Sequence, residues 1–196
     1  MADELEVKAV VPDADALRRR LRDEGAIRGF TGVLEDRRFD RGGELSRRDE
    51  VLRVRTYRHA GGGAESRMSW KGPTRRTPEG YKLREELECA ATGDDPALIL
   101  HALGYTVVQA IDRYAEYFTL HEAVIRLETY PRMHQLVEIE GAAEVIERAI
   151  AATGIPRADF TAETLGAFVL RFEARERRAA ALSMAALDGP PPWIAA

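Results

Sequence analysis

The sequence predicts an α+β fold in which about eight antiparallel strands form a closed or nearly closed barrel around a charged tunnel, with helices packed outside. Three observations predict it. First, segment after segment alternates charged and apolar residues, so that each strand has a charged face and an aliphatic face. Second, the charged faces are dominated by full charges, whereas a solvated sheet face mixes in Ser, Thr, Asn and Gln. Third, apolar stripes at helical spacing lie between and after the strands, and they need an apolar surface to cover. The aliphatic strand faces supply that surface, so the charged faces turn inward.

The opening segment Glu4-Leu5-Glu6-Val7-Lys8 sends Glu4, Glu6 and Lys8 to one side and Leu5 and Val7 to the other. Alone it better describes a half-solvated sheet; the later strands decide. Asp13 is placed to cap a helix in which Leu17 and Leu21 share a face, Arg18, Arg19, Arg20 and Arg22 cover the rest, and Gly25 ends the helix. A strand over 33–40 leads through a polar loop to a strand over 51–57, with Arg53 and Arg55 on one face. The glycines at 61–63 make a loop; no helix pattern follows, so they are not read as a phosphate loop. Strands over 67–71 and 82–88 flank a polar loop at 74–80, and the second of them aligns Lys82, Arg84, Glu86 and Glu88.

Asp94-Asp95-Pro96 opens a second helix that runs through Leu98, Ile99 and Leu103 to Gly104. Two or three strands follow, around 106–113, 114–120 and 123–129, the last aligning Arg126 with Glu128. The strand over 136–140 repeats the opening pattern, with Glu138 and Glu140 together and Val137 and Ile139 behind. A helix over 144–152 ends at Gly154, and Thr161 is placed to cap a long helix over 162–186. Residues 1–188 read as one domain and the proline-rich 189–196 as a tail, loose or docked.

Acids and bases nearly cancel to a net charge of -4, which argues against a nucleic-acid-coating surface. The single cysteine, Cys89, leaves no intrachain disulfide and no cysteine-rich zinc site. No run is long and apolar enough to span a bilayer, and the acidic N-terminus is unlike a secretory signal, so the expected location is cytoplasmic.

Charges on this scale are costly to turn inward unless they pair or hold ions. Inward bases repel one another until a polyphosphate supplies oxygens that match their donors. Inward acids repel one another until a hard divalent cation takes them as ligands. A tunnel for a metal-bound triphosphate satisfies both.

The motifs, taken in order, resemble those of the CYTH proteins, or triphosphate tunnel metalloenzymes, over about residues 3–141. Glu4-Leu5-Glu6-Val7-Lys8 resembles the ExExK signature, weak alone and strong in series. Asp36-Arg37-Arg38-Phe39-Asp40 is similar to D-x-Y-F-D, with Arg38 where tyrosine is usual. Leu52-Arg53-Val54-Arg55 resembles L-R-x-R, Lys71-Gly72-Pro73 the K-G-P turn, Arg84-Glu85-Glu86-Leu87-Glu88 R-x-E-x-E, and Glu138-Ile139-Glu140 the closing E-x-E.

The resemblance implies that Glu4, Glu6, Glu138 and Glu140 hold Mg²⁺ or Mn²⁺ and that Lys8, Arg53, Arg55, Lys71, Arg84 and Arg113 cradle the phosphates. Catalytic roles fall on Lys8, Glu86 and Glu128. The chain departs from the pattern at Ile111, where a K-x-R pair is usual before Arg113, and at Glu128, which stands where aspartate is common.

The family implies a metal-dependent phosphohydrolase acting on inorganic tripolyphosphate, thiamine triphosphate or a nucleoside triphosphate. The alternatives are a class IV adenylyl cyclase, which makes cyclic AMP and pyrophosphate from ATP, and a non-catalytic polyphosphate or nucleotide binder. Tyr57, Trp70, Tyr81 and Tyr114 are aromatic candidates for an organic group, though packing roles suit them better. The expected partner is a small triphosphate, with no nucleic acid and no membrane. A helix surface with Arg171, Arg175, Arg177 and Arg178 leaves a homodimer open.

Overall fold

The computed structural model describes residues 2–78, 81–91 and 93–193, with side chains from Leu5 onward. Its strands are β1 (Ala2–Val10), β2 (Ile27–Asp40), β3 (Val51–His59), β4 (Ala64–Lys71), β5 (Arg75–Arg76), β6 (Lys82–Ala91), β7 (Thr106–Leu120), β8 (Ala123–Thr129) and β9 (Leu136–Glu140). Its α-helices are α1 (Ala14–Asp23), α2 (Asp95–Ala102), α3 (Ala143–Thr153) and α4 (Leu165–Glu176).

Among the described residues the antiparallel ladder runs β1-β9-β8-β7-β2-β3-β4-β6, and β6 pairs back onto β1. The barrel is therefore closed, with the short β5 added outside on β6. Closure removes the free sheet edges.

The apolar core lies outside the barrel. Val7 and Ala9 of β1, Ile125 and Leu127 of β8, and Val137 and Ile139 of β9 form an aliphatic wall that α1 covers with Leu17 and Leu21 and α3 covers with Ile146, Ala149 and Ile150. Each fully buried leucine or isoleucine contributes about 1.5–3 kcal/mol. Holding this wall out against the helices leaves the opposite, charged faces to line the lumen. A smaller cluster of Ile111, Tyr130 and Leu136 meets Phe168 of α4.

Two of the caps, Asp13 and Gly154, act as the sequence indicates. The Asp13 side chain accepts from the Ala16 backbone N–H at 2.9 Å, and Gly154 closes α3 with φ of 71°, a conformation glycine adopts without a Cβ clash. Gly32 answers a different demand: a Cβ there would stand 1.9 Å from the Arg58 carbonyl oxygen, where β2 crosses β3 closely.

Several expectations are corrected. Of the two or three strands expected over 106–129 there are two, since 106–120 is the single strand β7: no turn residue interrupts it and β2 pairs along its length. The strand expected over 33–40 begins at Ile27. The long helix over 162–186 is the much shorter α4. Thr161 pairs with Lys8 of β1 instead of capping, and Arg177 turns the chain with φ of 51°. Beyond it Ala181 bridges to Arg132, the Leu182 carbonyl accepts from the Asp112 backbone N–H, and the Met184 backbone N–H donates to the Asp112 carboxylate, so helix is exchanged for tertiary bonds. The stripe assigned to the second helix also fails to face inward: Leu98, Ile99 and Leu103 are exposed, and Leu100 is the leucine that packs. In the tail, Pro191 is fully buried, so that part is docked. No described helix is long and apolar enough to cross a membrane.

Candidate active site in the barrel tunnel

Strand register assembles the site. Glu6 on β1 lies opposite Glu140 on β9 and Lys82 on β6; Lys8 lies opposite Glu138, which in turn lies opposite Arg126 on β8. Residues directly opposite on neighbouring strands point to the same face, so all of these enter the lumen. Facing carboxylates repel, and here they are held together by cations. Lys8 Nζ is 2.9 Å from Glu6 Oε1 and 2.6 Å from Glu138 Oε2. Lys82 contacts Glu6, and Arg126 bridges Glu138 at 2.7 Å and Glu140.

Glu6, Glu138 and Glu140 are all buried, and each offers a carboxylate oxygen within 4.8 Å of the others. Burial raises the pKa of Glu138, but Lys8 and Arg126 outweigh it and hold the carboxyl well below its usual range. Burial likewise works against the Lys8 charge, and Glu138 and Glu6 overcome it, raising that pKa. Three carboxylate oxygen donors at this spacing suit a hard divalent cation such as Mg²⁺ or Mn²⁺. The Glu4 side chain lies outside the described residues.

Across the lumen stands the basic wall. Arg55 donates to both oxygens of Asp36, at 2.6 and 2.8 Å, and Arg113 donates to Asp36 at 3.1 Å and to Glu128 at 2.6 Å. Arg53 reaches the Ser69 hydroxyl at 3.2 Å and Glu86 at 3.4 Å, and Lys71 meets Glu86 at 2.9 Å. Arg84 is fixed by backbone carbonyls, those of Gly72 at 2.6 Å and Asp49.

The lumen has two adjoining lobes that share Arg53, Arg55, Lys71 and Arg126. The narrower, about 380 Å³, is lined by Glu6, Lys8, Arg84, Arg113, Glu128 and Glu138, among others, and by the first turn of α4. The wider, about 800 Å³, carries Glu86 and Glu140 and an aromatic wall of Phe30, Tyr57 and Tyr117. The Phe30 ring stands edge-on to both tyrosines with centroids 5.3 Å away. Arg126 lies over Tyr117 at 5.0 Å, which ties this wall to the carboxylate group.

The residues singled out in the sequence thus converge, but in separate places. Lys8, Glu6, Glu138 and Glu140 form one cluster; Arg53, Arg55, Lys71, Arg84 and Arg113 form the facing wall. Glu128 belongs with Arg113 rather than with the carboxylate cluster, and Glu86 with Arg53 and Lys71. Glu88, expected inside, lines the wider lobe, where it is solvent-exposed and pairs with Arg67. Of the aromatic candidates, Tyr57 lines the lumen and Tyr81 is core.

Sequence reasoning missed the hub of the wall, Asp36, which three arginines approach. It also assigned no role to Lys82 or Arg126, although both lie on inward faces by simple alternation. Phe30 and Tyr117 gave no such signal, since neither sits in a motif.

These features define a class of protein: a closed antiparallel barrel whose lumen sets a carboxylate cluster against an arginine- and lysine-rich wall. Solved structures share the fold. A proposed adenylate cyclase from Vibrio parahaemolyticus aligns at 19% identity with a TM-score of 0.70, covering 85% of this chain and 97% of that one. A Pyrococcus horikoshii protein aligns at 22% identity and a TM-score of 0.67, covering 89% and 99%. A proposed adenylyl cyclase from Hippeastrum with a dominant triphosphatase activity aligns at 15% identity and a TM-score of 0.59, covering 93% and 99%. No protein-family model matches the sequence, and no curated protein matches it. The barrel is the one that the motif resemblance to CYTH proteins implies, reached here through the fold.

Proposed function

We propose that this protein is a divalent-metal-dependent hydrolase of a triphosphate bound in the tunnel. The observation that carries the reading is the carboxylate cluster of Glu6, Glu138 and Glu140 facing the Arg53, Arg55, Lys71, Arg84 and Arg113 wall inside one closed barrel. The solved structures of this fold that are described as cyclase or triphosphatase support a triphosphate as the substrate.

Glu6, Glu138 and Glu140 would hold Mg²⁺ or Mn²⁺, with Glu4 expected beside them. A cation there would neutralise and polarise phosphate oxygens. The wall residues bind and orient the phosphates, and their donors are fixed in advance by Asp36, Ser69, Glu86 and backbone carbonyls. Fixed donors stabilise charge developing on the oxygens without reorganising as it forms. The aromatic lobe suits the organic part of the substrate, which places the terminal phosphate in the narrower lobe. Glu128 lines that lobe, where it accepts from Arg113 and Tyr130, and would be the carboxylate that orients an in-line water. Lys8 balances Glu6 and Glu138 and favours the ionised form of both.

One observation favours a second reading. The wider lobe, at about 800 Å³, has room for a nucleoside beside Glu86. A cyclase would use that room to bring the ribose 3′-hydroxyl onto the α-phosphorus of ATP.

Phosphorus NMR of the protein with Mg²⁺ or Mn²⁺ and, in turn, tripolyphosphate, ATP and thiamine triphosphate tests both. Orthophosphate with a diphosphate product is expected. Cyclic nucleotide with pyrophosphate from ATP would replace the hydrolase by the cyclase. Binding without product from any of the three would make the protein a polyphosphate or nucleotide binder.

A further inference from the structure

We propose that Arg38 is a phosphate-binding residue of the tunnel, supplying from β2 the positive charge absent at Ile111 on β7. The inference rests on the triphosphate reading above and deepens it.

Arg38 lines the narrower lobe and stands opposite Arg53 on β3 and Gln109 on β7. One alternation further along β2, Asp36 stands opposite Ile111, so Arg38 and Ile111 face the same stretch of lumen. Every other guanidinium named in the wall has acceptors: Arg55 and Arg113 share Asp36, Arg53 has Ser69 and Glu86, and Arg84 has two carbonyls. Arg38 makes no ion pair among the described residues, and its Nε is fully buried with no hydrogen-bond partner.

Burial disfavours its charge, Asp36 only partly offsets this, and Arg53, Arg113 and Arg84 repel it, so its pKa is lowered. A guanidinium that served only packing would be expected to find acceptors, since buried donors almost always do. Here the matching acceptors are missing among the described residues and would come from phosphate oxygens, which a planar guanidinium engages well. The tyrosine usual at this position in the resembling family could donate one hydrogen bond there but would bring no charge.

The test compares wild type with Arg38→Met and Arg38→Lys, using isothermal titration calorimetry with magnesium tripolyphosphate and the melting temperature without ligand. Methionine keeps the aliphatic stem and removes the charge. Arg38→Met should bind tripolyphosphate about ten- to a hundred-fold more weakly, the loss of one charge-assisted hydrogen-bonding group. Its ligand-free melting temperature should be unchanged or higher, because a repelled and unpaired charge is gone. Arg38→Lys should bind more tightly than Arg38→Met. Wild-type affinity in Arg38→Met would overturn the inference and leave the triphosphate reading standing. A lowered ligand-free melting temperature would also overturn it, making Arg38 a structural prop. If wild type itself does not bind tripolyphosphate, the triphosphate reading fails and this inference falls with it.

Discussion

Replacing Asp36 by asparagine removes the negative charge that three arginines of the basic wall approach. Arg55 grips Asp36 through two hydrogen bonds, Arg113 approaches to 3.1 Å and Arg53 to 3.8 Å. All of these side chains are nearly inaccessible to solvent, so screening by water is weak. A unit pair about 4 Å apart at an effective dielectric of about 20 interacts by about 4 kcal/mol. The summed attraction is larger, but asparagine keeps a carbonyl acceptor and the arginines have Glu128, Glu86 and Ser69 in reserve. The expected cost is therefore that of breaking one buried pair, about 3–5 kcal/mol.

The pH dependence follows from the sign of the shift. Burial raises the Asp36 pKa, but Arg55, Arg113 and Arg53 outweigh it and hold it well below the ordinary value. A lowered folded-state pKa gives stability that is complete above the unfolded value and is lost as pH falls through the folded one. Urea denaturation followed by circular dichroism should show a constant gap between wild type and Asp36→Asn from neutral pH to about pH 5, narrowing below about pH 4. A gap under about 1 kcal/mol at pH 7, or one that widens with acid, would refute the claim that Asp36 organises the wall.

Two further outcomes are expected. Glu138→Gln should weaken Mn²⁺ binding, read by electron paramagnetic resonance, by more than the roughly 10- to 100-fold that loss of an outer-shell partner causes; unchanged binding would remove Glu138 from the metal set. Gly32→Ala should destabilise the fold by at least about 1–3 kcal/mol, since backbone must shift to relieve the clash with Arg58; a thermal melt equal to wild type would show that β2 and β3 separate there at little cost.

Much of the lumen was legible in the chain because strand alternation is local. Glu6, Lys8, Arg53, Arg55, Arg84, Glu138 and Glu140 were assigned to inward faces by counting in twos, and all are buried in the barrel. The same rule places Lys82 and Arg126, whose motif-free positions alone hid them. Helix ends were equally local: Asp13, Gly25 and Gly154 carry their signals in their own residue types.

Other features depend on which strands become neighbours. Asp36 reads as one acid among several charges on β2; it becomes a hub because Arg53 and Arg55 on β3 flank it on one side and β7 brings Arg113 from the other. The aromatic lobe joins Phe30, Tyr57 and Tyr117 from three strands with no shared motif. The segment after Arg177 left its helical pattern because backbone bonds to Arg132 and Asp112 were available in the folded chain. By itself the sequence determined the faces of the strands and the charges they carry, since alternation and residue type need no partner. Only the tertiary structure decided which acid meets which base, because strand adjacency and register arise when the barrel closes.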